Sequence, residues 1–294
     1  MTKHFSGSLV ALVTPMKDHG EIDEPSFVDL IQWHLAEGTQ GLVILGTTGE
    51  SPTVKAEREA LFKLAVKTAA GRVPIIAGVG TNDTKVSIEQ AKAAEACGVD
   101  AMLVVVPYYN KPPQRGMVEH FKAIHDATQL PIIIYNAFGR TGADIAPETV
   151  ITLAESCERI VALKDANPEL SRVAELKAKL SPDFVLLSGN DDVALEYVLK
   201  GGDGVISVTA NVVPALMAEM MALANTDVEK AKAINERLND LHHTLFIESN
   251  PIPVKWAVNR MGKIPGGLRL PLVSLAQQNQ PLLERVMQSL GVIG

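Results

Sequence analysis

The stretch 131-PIIIYNAFGRTG-142, followed by 160-IVALKDA-166, decides the fold. Both segments begin as short, β-branched, nearly unbroken apolar runs, PIIIY at 131–135 and IVALK at 160–164, and both then break into polar residues. Consecutive rather than alternating apolar positions belong to strands buried on both faces, the condition of a parallel sheet covered by helices. The same kind of run recurs in both directions. SLVALV at 8–13, GLVILG at 41–46, VPIIAGV at 73–79 and AMLVVV at 101–106 lie upstream, while FVLLS at 184–188 and GVISV at 204–208 lie downstream. Together they predict eight strands.

Between the runs the pattern changes to helical spacing. Residues 25–37 carry apolar side chains at 27, 28, 30, 31 and 35 and stop at Gly38, an i, i+3, i+4 stripe ended by a glycine cap. Residues 84–97 repeat the pattern and stop at Gly98, and residues 192–199 stop at Gly201-Gly202. Pro147 stands just inside the start of another helix, where its missing N–H is not needed. Eight alternating β and α units in one chain predict a closed (β/α)8 TIM barrel over a doubly wound sheet. From Val212 onward no strand-like run appears, and PALMAEMMALAN and VEKAKAINERLNDLHHTLF read as helix. The expected division is therefore a catalytic barrel at 1–211 and a C-terminal helical extension at 212–294, packed on the barrel because no Ser/Gly-rich linker precedes it.

Bulk composition narrows the function. The 294 residues are 47% hydrophobic and 21% charged, and a chain of this size buries a large core without metals or disulfides. Its two cysteines, Cys97 and Cys157, make no disulfide framework and fit a reducing, cytoplasmic setting. The first residues lack the long apolar stretch and cleavage site of a secretory signal, and no stretch reaches membrane-spanning length. A net charge of −7 argues against nucleic acid as a partner. Acidic small molecules then need local cations.

In TIM barrels the active site collects at the C-terminal ends of the strands. There the sequence offers Thr47-Thr48-Gly49, Tyr108-Tyr109-Asn110, Tyr135-Asn136 with Arg140, Lys164-Asp165, Ser188-Gly189-Asn190 and Ile206-Ser207. Lys164 ends an apolar strand, so its stem starts inside the barrel. Poor solvation disfavours the ammonium and lowers its pKa, and a neutral amine is what attack on a carbonyl carbon requires. Position alone leaves a second reading open, a lysine snorkelling to solvent or pairing with Asp165. Tyr135 ends the preceding strand, where a phenol beside Lys164 can pass protons or simply sit as an amphipathic rim residue. Thr47, Thr48 and Gly49 offer hydroxyls and close backbone N–H groups to a small carboxylate, and the same string also suits a plain βα turn. Arg140 has the fork geometry for a second carboxylate, or is an idle loop arginine. Phosphate-loop, dinucleotide, HExxH, Cys/His metal and GxSxG motifs are missing, so no metal site is expected.

Taken in order, VALVTP, GTTGES, PYYNKP, YNxxGRTG, LKDA, LLSGND, GGDGVISVTAN and NPIPVKWA resemble the dihydrodipicolinate synthase and N-acetylneuraminate lyase family along nearly the whole chain. The Tyr-Tyr pair, the RTG and NPIPVKW resemble the first branch. The resemblance implies condensation of pyruvate with aspartate semialdehyde on the way to diaminopimelate and lysine, with no metal or organic cofactor. Lys164 would carry the imine, and Thr47, Tyr109 and Tyr135 would relay protons, Tyr109 reaching a neighbouring subunit's site in a homodimer or homotetramer. Thr48 would hold the pyruvate carboxylate and Arg140 that of the semialdehyde, with Gly189 and Ile206 lining the pocket. Two other functions fit the same residues: a pyruvate-dependent aldolase or dehydratase for a sugar acid or other aldehyde, and a barrel that binds a metabolite without turnover.

The chain departs from the family pattern at two places. Ala137-Phe138 stand where the family reads Val/Ile-Pro, which frees φ and restores an N–H ahead of Arg140. Ser51, Asn82 and Tyr108 match the family's allosteric lysine pocket, but Ala56, Glu59 and Val86 fall where lysine-sensitive members carry histidines and a glutamate. Without that glutamate the lysine ammonium lacks a counter-charge, and weak or absent feedback is expected.

Overall fold

The computed structural model describes residues 5–294. All eight expected strands form: β1 (Gly7–Ala11), β2 (Gly41–Ile44), β3 (Ile75–Val79), β4 (Ala101–Val105), β5 (Ile132–Asn136), β6 (Ile160–Asp165), β7 (Val185–Ser188) and β8 (Gly204–Ser207). They are parallel, follow chain order and close into a barrel when β8 pairs with β1, as in Leu9 opposite Ile206. Around them lie α1 (Glu24–Ala36), α2 (Arg58–Ala69), α3 (Thr84–Ala96), α4 (Gln114–Asp126), the short α5 (Phe138–Thr141), α6 (Pro147–Ser156), α7 (Ser171–Lys179) and α8 (Ala194–Leu199). Then come α9 (Pro214–Leu223), α10 (Val228–Thr244), α11 (Ile252–Arg260) and α12 (Gln280–Ser289).

The near-continuous apolar runs are explained by two separate cores. Along each strand one set of residues points into the barrel, where Leu9, Val43, Ile76, Leu103, Ile133, Ala162, Leu187 and Ile206 form one buried cluster. Their neighbours Val10, Leu42, Ile75, Met102, Ile132, Leu163, Leu186 and Val205 point outward into the layer shared with the helices. Alternation by two along a strand thus fixes the direction of each strand-end side chain. Lys164 lies two residues after Ala162 and points inward, while Asp165 points the other way.

α9 packs against β1 and takes the eighth place in the helical ring. The division expected at 211/212 falls between the turn Thr209–Asn211 and this helix. α10 packs on α9 and α12, and α11 packs on α12 and on that same turn. Through this packing the chain returns to the barrel mouth at residues 250–255. Among the described residues no helix is long and apolar enough to cross a membrane.

Candidate active site

Lys164 is buried, with only 6% of its surface exposed. Neither of the uneventful readings of this residue holds. Snorkelling is excluded by the burial, and Asp165 is engaged elsewhere, accepting from Arg172 Nε at 3.1 Å and from Asn136 Nδ2 at 2.9 Å. Burial is the main cause that holds the Lys164 amine below its ordinary pKa; Arg140 pushes the same way, while Tyr135 and Asp191 oppose. Strand register sets Tyr135 directly beside Lys164, and Lys164 Nζ lies 4.3 Å from the centre of the Tyr135 ring.

Above the pair opens a pocket of about 380 Å³ lined by Thr47, Thr48, Tyr135, Arg140, Lys164 and Gly189, with Asn190 and Asn250 among the remaining wall residues. Gly189 is tied by its N–H to the carbonyl of Asp165 at 2.7 Å, and a Cβ there would stand 2.7 Å from that of Ala166. Only glycine fits so close an approach. Ile206 is fully buried inside the barrel in the same cluster as Tyr135, but it is not among the lining residues.

The GTTGES turn carrying Thr47 and Thr48 is wound tightly. Leu45 and Glu50, at its two ends, have φ of +55° and +59°, a region that bulky side chains avoid. The winding is held from outside. Glu50, fully buried, accepts from Lys255 Nζ at 2.5 Å on one carboxylate oxygen and from the N–H of Arg269 at 3.3 Å on the other. Thr48 Oγ1 accepts from Asn250 Nδ2 at 3.0 Å. From below, a Cβ on Gly78 would lie 2.1 Å from the carbonyl oxygen of Leu45, so the turn and β3 meet backbone to backbone.

Arg140 sits on α5, where Phe138 takes the first helical position with its ring half exposed. That position is the one a proline fills without loss, so the Ala137-Phe138 departure leaves a formed turn. Behind it, Asp144 accepts from Asn136 Nδ2 at 2.7 Å and from Arg172 Nη1 at 2.9 Å, and Arg172 Nη2 donates to the Ile145 carbonyl at 2.6 Å. Arg140 reaches the pocket wall, donating through Nη2 to the Asn250 carbonyl at 3.3 Å.

Tyr109 is not brought to this pocket. The residue is 87% exposed on a backbone with φ of +70°. A second cavity of about 570 Å³ adjoins the first, shares Thr47, Tyr135, Arg140 and Asn250 with it, and is lined by Ser51, Val86 and Tyr108. Asn82, grouped with Ser51 and Tyr108 on sequence grounds, is outside the lining and accepts on its carbonyl from Asn110 Nδ2 at 2.9 Å. Arg58, nearly buried in the same wall, donates to the carbonyls of Gly78 at 2.7 Å and Ser51 at 3.1 Å. Asn250 and Asn190 are the two pocket amides to which sequence reasoning gave no role. The string NPIPVKWA carried the signal for the first and SGND for the second. Among the described residues no cluster of three or more His, Cys, Asp or Glu is arranged to hold a metal.

Comparison with known proteins agrees with this geometry. Residues 4–290 match the model of the dihydrodipicolinate synthetase family. A 4-hydroxy-tetrahydrodipicolinate synthase of Nitrosospira multiformis is 51% identical over 98% of this chain and 96% of that protein. Dihydrodipicolinate synthase from Aquifex aeolicus superposes with a TM-score of 0.96 at 43% identity, covering 98% of this chain and 99% of that one. The chloride-inhibited dihydrodipicolinate synthase from Acinetobacter baumannii, solved in complex with pyruvate, gives a TM-score of 0.96 at 45% identity over 99% of this chain and 100% of that one. With the match spanning the barrel, the buried lysine and the C-terminal helices alike, the chain belongs to the dihydrodipicolinate synthetase family.

Proposed function

We propose that this chain condenses pyruvate with aspartate semialdehyde to 4-hydroxy-tetrahydrodipicolinate, on the route to diaminopimelate and lysine, through an imine on Lys164. The observation that carries the reading is a buried lysine amine, held below its ordinary pKa, in a pocket lined also by Thr47, Thr48 and Arg140. Full-length relatives bearing that activity support the choice of reaction.

The neutral amine attacks the ketone carbon of pyruvate, and loss of water leaves an imine. Release of a methyl proton gives the enamine, whose carbon attacks the aldehyde of the second substrate. The semialdehyde's own amine then displaces Lys164 from the imine carbon, closing the ring and freeing the enzyme. Thr48 holds the pyruvate carboxylate and Arg140 the semialdehyde carboxylate. Thr47, Tyr135 and a Tyr109 from a second copy move the protons. Gly189 leaves room at the wall, and Ile206 supports it from within the barrel. The chemistry needs no metal or organic cofactor, because the imine nitrogen on the lysine itself serves as the electron sink.

The protein works as a homodimer or a pair of dimers. A tyrosine 87% exposed on a left-handed backbone has a poor reason to stand in water and a good one to stand in a neighbour. Its two buried free cysteines fit a reducing cytoplasm.

Two measurements test the reading. Borohydride with pyruvate should leave a pyruvate-sized adduct on Lys164, found by peptide mass mapping; an unmodified Lys164 rejects every imine mechanism. A coupled assay should show turnover with aspartate semialdehyde, and turnover only with sugar-acid aldehydes would assign the chain to an aldolase.

A further inference from the structure

We propose that Asn250 is a positioning residue that sets the polarity of the Thr48 hydroxyl, turning it into a donor for the substrate carboxylate. The inference rests on the functional reading above and adds a part that the strand-end residues do not contain. Thr48 is 1% exposed and Asn250 5% exposed, and both line the pocket. A hydroxyl owns one proton and two lone pairs. Because Asn250 Nδ2 donates to Thr48 Oγ1 at 3.0 Å, one lone pair is occupied and the proton is directed elsewhere. A threonine so oriented meets a carboxylate with its positive end. Without the amide it can turn its lone pairs to the anion instead.

The placement of Asn250 is well fixed. Its residue carbonyl accepts from Arg140 Nη2 at 3.3 Å. Five residues on, Lys255 Nζ meets Glu50 at the far end of the same turn that carries Thr48. Asn250 Oδ1, in contrast, is buried without a protein partner. Packing alone would favour an apolar side chain of similar size there, so an amide with one end unsatisfied is explained by what its other end does. A single residue of the C-terminal segment therefore touches both carboxylate-binding elements, Thr48 by its side chain and Arg140 by its backbone.

Asn250→Asp is nearly the same shape but can only accept from Thr48, which reverses the hydroxyl and adds a like charge near the substrate anion. Lys164 trapping by borohydride should then require about tenfold to a hundredfold more pyruvate, the range of one lost hydrogen bond to a charged group. Trapping of methyl pyruvate, which has the ketone but no carboxylate charge, should change far less. Asn250→Ala should raise the pyruvate KM more than it lowers kcat, and it should add nothing further in a Thr48→Val background if it acts through that hydroxyl. Equal loss for pyruvate and methyl pyruvate would mean a general disturbance of the pocket, and full additivity with Thr48→Val would mean independent action; either overturns the proposal. A parent protein that traps no pyruvate rejects the functional reading itself, and this inference with it. Normal parental trapping with an unchanged Asn250→Asp rejects the inference alone.

Discussion

Lys164 is the residue at which stability and chemistry are opposed. In the unfolded chain its amine has the ordinary value of 10.5, and in the fold burial holds it lower. Between those two values the unfolded state binds more protons, so stability rises with pH there; below both, the penalty for burying the ammonium is complete. Lys164→Met, which keeps the stem and drops the charge, is therefore expected to stabilise the protein by about 1–2 kcal/mol at acidic pH. The gain should shrink as pH climbs toward 10.5, while condensation is abolished. Urea melts across a pH series check this, and a gain independent of pH would show that burial of the amine is not its source. The same titration gives parental imine formation an acidic limb, since protonation removes the nucleophile. Tyr135→Phe keeps the ring that packs 4.3 Å from the amine and removes only the proton carrier. We expect kcat to fall about 10²- to 10⁴-fold with the melting temperature unchanged. A loss below tenfold would make Tyr135 a packing residue.

At the scale of the elements, the strands were legible because each run answers two cores at once. IVALK, for instance, spends Ala162 and Lys164 on the barrel interior and Leu163 on the helical layer, so it is apolar without alternation. The candidate lysine was legible for the same reason, as a charge where the pattern demands burial. What stayed hidden lies in contacts more than 200 positions apart. The Asn250 to Thr48 and Lys255 to Glu50 bonds leave no periodic trace, because a single polar residue on a loop has no spacing to read. The left-handed Leu45, a residue that usually avoids such a turn, was hidden likewise. The eighth ring helix resisted for another reason: PALMAEMMAL, with Met217, Met220 and Met221 all buried, is followed by further helices and no strand, so nothing in the pattern marks where the ring ends. The Glu50–Lys255 pair makes its own prediction. Both groups are essentially fully buried, so Lys255→Met strands a carboxylate and should cost about 3–5 kcal/mol. Glu50→Gln combined with Lys255→Met should recover most of that, because the glutamine can still accept from Arg269. If the double variant is no more stable than the single one in urea, the pair is not a coupled unit.

For the whole molecule, Tyr109 tests whether a second copy completes the site. A lone chain holds Lys164, Tyr135 and Thr47 around its pocket but leaves Tyr109 in solvent. Mixing Tyr109→Ala subunits with Lys164→Ala subunits should restore activity, since a hybrid dimer then owns one intact site. Hybrids as inactive as their parents would place Tyr109 outside the relay. The cavity next door speaks to regulation. Its wall presents Val86 and the buried Arg58 guanidinium, and its carboxylate, Glu50, is already taken by Lys255. A free lysine ammonium finds no counter-charge there and meets a like charge instead. Lysine is expected to leave the rate unaffected at micromolar concentration, and an inhibition constant in that range would contradict this account of the cavity.

The late return of residues 250–255 to the barrel mouth also sets an order along the chain. In chain order all eight strands, Lys164 among them, precede the asparagine and lysine that brace the Thr48 turn. A nascent or truncated barrel ending before that point would own a reactive amine with no braced seat for an acid. Selectivity for an acid is then expected to rest on a segment distant from the strands in sequence, and a chain cut before residue 250 should lose it.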